Sequence, residues 1–396
     1  MKKRSITVGT VHLNSFSRKN ITEVVKNNRL TYGPYSKQFE QKFASIHRMK
    51  FATFCNSGTS ALQISFHALK SKYGWPDGSE VLVPALTFVA SINTILQNKL
   101  TPVFVDIEKD FYGIDPSEIE TKITPHTVAI EPVHLFGQPA DMDPIMEIAS
   151  RHHLKVVEDS CETMFALYKG KPVGSFGDIS CFSTYAAHLL ATGIGGLALT
   201  NDEALAIKLR SLINHGRDDS YLSIDDDDKI NSKDFKHIVD NRFQFTDIGY
   251  SYRASELEAA IGFGQLHDWE NMIRMRKANA QYLTKLLSSL EDRIQLPEVR
   301  MGTEHVYMVY PMVVKDPSVR MDDFIYHLET SGIETRPLLP TLSQPVYRKL
   351  YGDIEKDYPV AEAVSKRGLY VGCHQDLMKE DMEYVADIIA KYFRKN

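Results

Sequence analysis

Cysteine is scarce in this chain, and the few present stand apart. Cys55, Cys161, Cys181 and Cys373 are the only four in 396 residues, and none has a neighbour at CxxC or CxxH spacing. Zinc ribbons and iron–sulfur centres need clustered thiolates, so neither is indicated. Buried free thiols of a cytoplasmic enzyme are the expectation, and no metal site is predicted. Long apolar runs are also missing: none approaches the roughly 18 residues of a membrane span. The start, Met1 to Ile6, is basic, but no apolar core of signal-peptide length follows it. No strong charge of one sign is present. A net charge of -5 offers nothing to nucleic acid or to an anionic membrane, so neither is expected as a partner. There is no internal repeat and no low-complexity linker.

What is present is the composition of a globular protein, 43% hydrophobic and 24% charged, which allows a sizeable core. The length suits two or three domains, or one large α/β domain with an appendage. Strand and helix patterns alternate through the first half. Phe51 to Cys55, Glu80 to Pro84, Pro102 to Asp106, Thr127 to Val133 and Leu154 to Asp159 read as strands, with helical spacing between them. Units of this kind predict a mostly parallel sheet with helices on both faces. Ligands then bind beyond the carboxyl ends of the strands. Ser57, Phe88, His134, Asp159 and His188 all fall there and can line one crevice. Residues 217 to 240 are polar and acidic, including Asp225 to Asp228, and read as a solvated loop. A helical run from Ser255 to about Leu287 leads into a smaller α+β portion with a strand at Val306 to Val314. The expected division is a large domain over 1–253, with an N-terminal arm, and a small C-terminal domain over 254–396.

Several residues carry chemistry. Ser57-Gly58-Thr59 sits between a strand and a helix, where free amides, two hydroxyls and the helix dipole can hold a phosphate; the same pattern also serves as an ordinary N-cap. Asp159 ends an apolar strand, with Glu162 three residues on. A carboxylate there can hold a protonated ring nitrogen, or cap the next segment. Phe88 can stack on a planar ring, and Ser183 can add a hydroxyl to the phosphate site. His188 lies in a turn between an apolar strand and Gly195-Gly196, where an imidazole can move protons near neutral pH.

In order, the segments Leu30 to Pro34, Asn56 to Leu62, Val83 to Ala90, Pro132 to Gly137, Glu158-Asp159, Gly174 to Asp178, Phe182-Ser183, Gly195-Gly196, Asn214 to Arg217, Gly249 to Arg253 and Tyr358 to Glu362 cover nearly the whole chain. Together they resemble the DegT/DnrJ/StrS sugar aminotransferase family, with the type I aspartate-aminotransferase fold of pyridoxal-phosphate enzymes. That resemblance implies an α/β fold whose large domain has a mostly parallel sheet. It implies pyridoxal 5'-phosphate or pyridoxamine 5'-phosphate as cofactor and a nucleotide-linked keto-sugar as substrate. It also implies a homodimer with shared active sites. Ser57, Gly58, Thr59 and Ser183 would hold the cofactor phosphate, Phe88 would stack on its ring, and Asp159 would bind its nitrogen. The Gly249 to Arg253 segment would reach the partner's site, with Ser251 where the family usually has Asn.

His188 departs from that pattern. It occupies the position of the lysine that binds the cofactor covalently in the aminotransferases, and there is no lysine between Lys171 and Lys208. The same replacement marks the sugar 3-dehydratases of the family, with the GDP-4-keto-6-deoxymannose pattern the nearer one. The spacing from Asp159 to Glu162 and the presence of His215 also resemble that branch, which implies Glu162 at the cofactor and His215 in catalysis. The expected activity is therefore removal of the C3 hydroxyl from a 4-keto-6-deoxy sugar, with glutamate restoring the amine form of the cofactor. The alternatives are a nucleotide-sugar aminotransferase using a donor such as glutamate, and a non-catalytic binding or regulatory protein.

Overall fold

A computed structural model describes residues 5–218, 235–241 and 243–395. Most of the acidic stretch over 217 to 240, Asp225 to Asp228 included, lies outside the described residues, as does the basic start through Arg4.

Seven strands make the main sheet. They are β1 (Phe51–Cys55), β2 (Glu80–Pro84), β3 (Thr101–Val105), β4 (Thr127–Ile130), β5 (Lys155–Asp159), and, beyond the two-residue strands β6 (Leu167–Tyr168) and β7 (Lys171–Pro172), β8 (Ile179–Ser183) and β9 (Gly196–Thr200). Their order is β1-β9-β8-β5-β4-β2-β3, and β9 alone runs against the rest. Every residue of β8 and β9 is buried. Sequences such as Ile-Ser-Cys-Phe-Ser and Gly-Leu-Ala-Leu-Thr lack an alternating polar face because both sides of the sheet are covered. The α/β architecture read from the alternating patterns is the one observed.

The second sheet is antiparallel, in the order β10-β11-β13-β12, from β10 (Ile294–Gln295), β11 (Tyr310–Val314), β12 (Arg336–Pro337) and β13 (Gly368–Val371). Its core gathers Leu283, Phe324, Leu328, Met382 and Ile389 from the helices packed on it, together with Ile6 from the N-terminal arm. Ile6 joins by main-chain bonds, its amide to Gly332 O at 2.8 Å and its carbonyl from Glu334 N at 2.9 Å.

Two expected elements are shorter than the sequence suggested. The helical run from Ser255 to Leu287 is two helices, Glu256–Gln265 and Trp269–Leu287. The first starts on a full capping box between Ser255 and Glu258 and carries Gly262 and Gly264, which weaken it near its end. Gly264 faces Ser17 so closely that a side chain has no room there. The strand expected over 306–314 begins only at Tyr310. Before it, Val306 and Met308 donate their amides to Gly137 and Phe136, away from the second sheet.

Candidate active site

The carboxyl ends of β1, β5 and β8 converge on one cavity of about 730 Å³. After β1, Ser57 caps the helix α1 (Gly58–Tyr73), its Oγ accepting the Ser60 amide at 3.0 Å. The ordinary cap is thus present, and the remaining first-turn amides keep no partner within the helix. A Cβ added to Gly58 would come 2.7 Å from Ser183 Cβ and 2.8 Å from Cys161 Sγ. Glycine at this position lets the helix start lie directly on the end of β8. Ser57, Gly58, Thr59 and Ser183 therefore share one wall, an amide-rich concavity with hydroxyls at the positive end of a helix dipole. Phe88, on the loop after β2, lines the same cavity and keeps 54% of its surface exposed, so its ring face is available.

Asp159 ends β5 and is buried. Its Oδ1 accepts the Cys161 amide at 3.1 Å and its Oδ2 accepts the Ser91 hydroxyl at 2.9 Å, while Ser91 Oγ also bonds Thr87 Oγ1 at 2.8 Å. Burial raises the Asp159 pKa, and these hydrogen bonds pull it back. Glu162 lines the cavity beside it, accepting the Phe136 amide at 3.1 Å. Burial, and then the Asp159 charge, push Glu162 up to about 7 against that hydrogen bond.

The hairpin joining β8 to β9 carries His188. Thr184 donates its amide to Gly195 O, and Ala186 to Gly193 O, at 2.9 and 3.1 Å; the Thr184 and Thr192 hydroxyls meet at 2.6 Å. Gly193 and Gly195 have φ of 95° and 150°, which the reversal requires. From outside, Gln265 clamps Ala191, and the arm residue Gly9 packs on Ala187. These contacts fix His188 over the cavity. Burial pushes its imidazole down to about 4, with the nearby main chain of Cys161 and Ser183 pulling upward and Arg276 downward. Its Nδ1 is buried without a hydrogen-bond partner. The ring is therefore neutral at physiological pH, with one nitrogen left without a partner. Among the described residues lining the cavity there is no lysine, and Arg336 is the one permanent cation.

Not every expected residue is in this place. His134 is buried away from the cavity: its Nε2 meets Glu158 at 3.2 Å and its Nδ1 accepts the Ala140 amide at 2.9 Å. It orders the carboxylate that receives the amides of Gly174, Phe176 and Gly177. His215 and Ser251 lie outside the cavity of their own chain. Both are exposed, both contact Arg253, and His215 holds a left-handed φ of 66°. The cavity also includes residues the sequence reading missed. Ser91 does not line it but bonds Asp159, and was discoverable as a hydroxyl within the otherwise apolar stretch Val89 to Ile92. Thr7 to Val11, Glu334, Arg336 and Tyr370 had no local signal, since they arrive through the pairing of Ile6 with Ile333 and of β12 with β13.

Pyridoxal phosphate presents a phosphate, a flat ring and a basic ring nitrogen, and these residues fit it: the amide-rich helix start, the exposed Phe88 ring and the buried Asp159 carboxylate. Glu162 gives a direct check on the electrostatics. Its raised pKa means that the stability it contributes is present below the unfolded carboxylate range and lost as pH rises through about 7. The melting temperature of E162Q should therefore gain on the native protein between pH 4.5 and 7 and hold that lead above it. Melts of both proteins across that range check the point.

A family model described as the DegT/DnrJ/EryC1/StrS aminotransferase family matches residues 12–390. A GDP-perosamine synthase of Caulobacter vibrioides is 34% identical over 96% of this chain and 96% of its own. Among solved structures, a GDP-4-keto-6-deoxymannose-3-dehydratase with a histidine-to-asparagine substitution and bound GDP-perosamine superposes with a TM-score of 0.88 at 27% identity, covering 97% of this chain and all of its own. The E. coli dehydratase of that name with bound hydrated PLP gives 0.87 at 27% identity, over 98% of this chain and 100% of its own. No helix among the described residues is long and apolar enough to cross a membrane.

Proposed function

The chain belongs to the DegT/DnrJ/EryC1/StrS aminotransferase family, and from that membership and the histidine at position 188 we propose that it removes the C3 hydroxyl of a nucleotide-linked 4-keto-6-deoxy sugar. It is a pyridoxal-phosphate-dependent enzyme. The observation that carries the dehydratase reading is His188 over a cavity without a lysine among its described lining residues.

Ser57, Gly58, Thr59 and Ser183 would hold the cofactor phosphate, Phe88 would cover one ring face, and Asp159 would hold the ring nitrogen's proton. Bound as its amine form, the cofactor supplies a nitrogen for the sugar's C4 carbonyl and a ring that accepts an electron pair. His188, neutral at physiological pH, accepts a proton at an imidazole nitrogen and can return it to the departing C3 hydroxyl. Glu162, whose proton exchanges near neutral pH, stands beside Asp159 and steadies the Phe136 turn. Glutamate is the proposed donor that restores the amine. In a homodimer, the exposed His215 and Ser251 would serve the partner's cavity, and the nearby Phe243 and Ile248, 85% and 87% exposed, would be covered.

The sequence relatives favour a second reading. The GDP-perosamine synthases of Caulobacter vibrioides and E. coli O157:H7 are 34% and 33% identical, and they support transamination more strongly than the dehydratase likeness supports elimination. Amino transfer here would need either His188 as the proton carrier without a covalent hold on the cofactor, or a distant lysine. Borohydride reduction of the reconstituted protein followed by intact-mass analysis separates these cases. The expected result is no added pyridoxyl mass; a stoichiometric adduct on a lysine would overturn the reading of His188.

A further inference from the structure

Glu131 follows β4 and is completely buried, yet neither of its carboxyl oxygens has a hydrogen-bond partner. No lysine, arginine or histidine pairs with it among the described residues. Parallel pairing sets where it stands. Ile130 lies opposite Val156, and Val133 bridges to Asp159. Glu131 therefore falls opposite Val157, on the sheet face that also carries Asp159, one diagonal step away. Its amide donates to Leu82 O at 2.8 Å, which holds it in line with β2. The titratable groups near it are Asp159 from β5 and Cys181 from β8, both acids. Asp159 differs sharply from it, since donors already meet each of its oxygens.

A buried carboxylate with no donors is very costly, and two carboxylates on one buried face cannot both ionise cheaply. We propose that Glu131 stays a protonated acid beside Asp159, so that Asp159 alone is the anion available to the cofactor's ring nitrogen. The assignment rests on Asp159 holding that nitrogen, but the carboxyl pair can be tested without the cofactor. Both burial and the Asp159 charge raise the pKa of Glu131 well above the carboxylate range. A raised folded value means stability that is present in acid and lost as pH rises.

The test compares full-length native protein, E131Q and E131L. In the cofactor-free proteins, E131Q should melt with the native protein in the ordinary carboxylate range and progressively above it as pH rises. The infrared absorption of protonated carboxylic acids at neutral pH should lose one group's intensity in E131Q, leaving the share that Glu162 contributes. Titration with pyridoxal phosphate, followed by protein fluorescence, should show E131Q and E131L both binding within about twofold of native, since each replaces a neutral acid by a neutral group. Parallel melting profiles, or no such intensity lost in E131Q, would refute the protonated acid. A tenfold change in cofactor affinity in E131Q and E131L alike would show that Glu131 carries charge beside Asp159 and would refute the protonated acid too. If E131L does not fold, the melts and the infrared band of E131Q decide. D159N serves as the control for the underlying site reading: native affinity there would overturn that reading, whereas weakened D159N beside strongly altered E131Q and E131L overturns only the inference about Glu131.

Discussion

Replacing His188 by Asn should leave the cofactor bound and lower turnover by about 10²- to 10⁴-fold, the usual contribution of a positioned general acid–base. Apart from Ser183, which ends β8 before the hairpin, the phosphate wall and Asp159 stand on other elements, so binding should survive while proton transfer does not. A pH signature accompanies the loss. The folded-state pKa of His188 is about 4, below its ordinary value of 6.5. A depressed histidine contributes stability that is present above 6.5 and lost as pH falls toward 4, because the unfolded ring takes up a proton that the folded ring refuses. H188N lacks this dependence, so its acid-side melting profile should be flatter. His188→Lys goes further. The same burial that depresses the imidazole favours the neutral, nucleophilic form of an amine. Borohydride should then fix a pyridoxyl group on the variant, and hydroxyl elimination should disappear. If both H188N and H188K kept the native rate of elimination, His188 would not be the proton carrier.

Asp159→Asn should weaken cofactor binding by about 10- to 100-fold, the loss of one charge-assisted hydrogen bond. The cofactor-free protein should respond in the opposite sense. Asp159 has a raised pKa because it is buried, so its ionisation costs stability as pH rises. At neutral pH, cofactor-free D159N should therefore melt above the native protein. Holding an anion in the core is useful only with a cation to meet it. Melting curves with and without pyridoxal phosphate give both signs in one experiment. A variant that loses stability in the cofactor-free state and keeps its affinity would show Asp159 to be a structural cap.

His188 was legible because its surroundings are local. Ser183, the reversal and Gly195-Gly196 lie within one hairpin, so spacing along the chain equals position in space. The phosphate wall was legible as two halves: Ser57 to Thr59 from a strand-to-helix turn, and Ser183 from a strand end. That Gly58 is what lets them touch follows only from the packing of α1 on β8. His134 looked equivalent to its neighbours Val133 and Leu135, which do line the cavity, but the twofold alternation around a strand end put its ring on the other side with Glu158. The arm residues Thr7 to Val11 and the break after Gln265 were illegible for a different reason. Both depend on partners far along the chain, Ile333 in one case and Ser17 and Ala191 in the other. His215 and Ser251 could be picked by resemblance alone, and within one chain they stay at the surface.

The most direct measurement is of the product. The purified protein is reconstituted with pyridoxamine phosphate and given glutamate and a GDP-linked 4-keto-6-deoxy sugar, and the sugar ring is then read by NMR and mass spectrometry. A site with His188 in the lysine's place predicts a methylene at C3, a carbonyl retained at C4, and ammonia released in step with it. A product that keeps its C3 hydroxyl and carries an amine at C4 would contradict the dehydratase reading and establish the aminotransferase in its place.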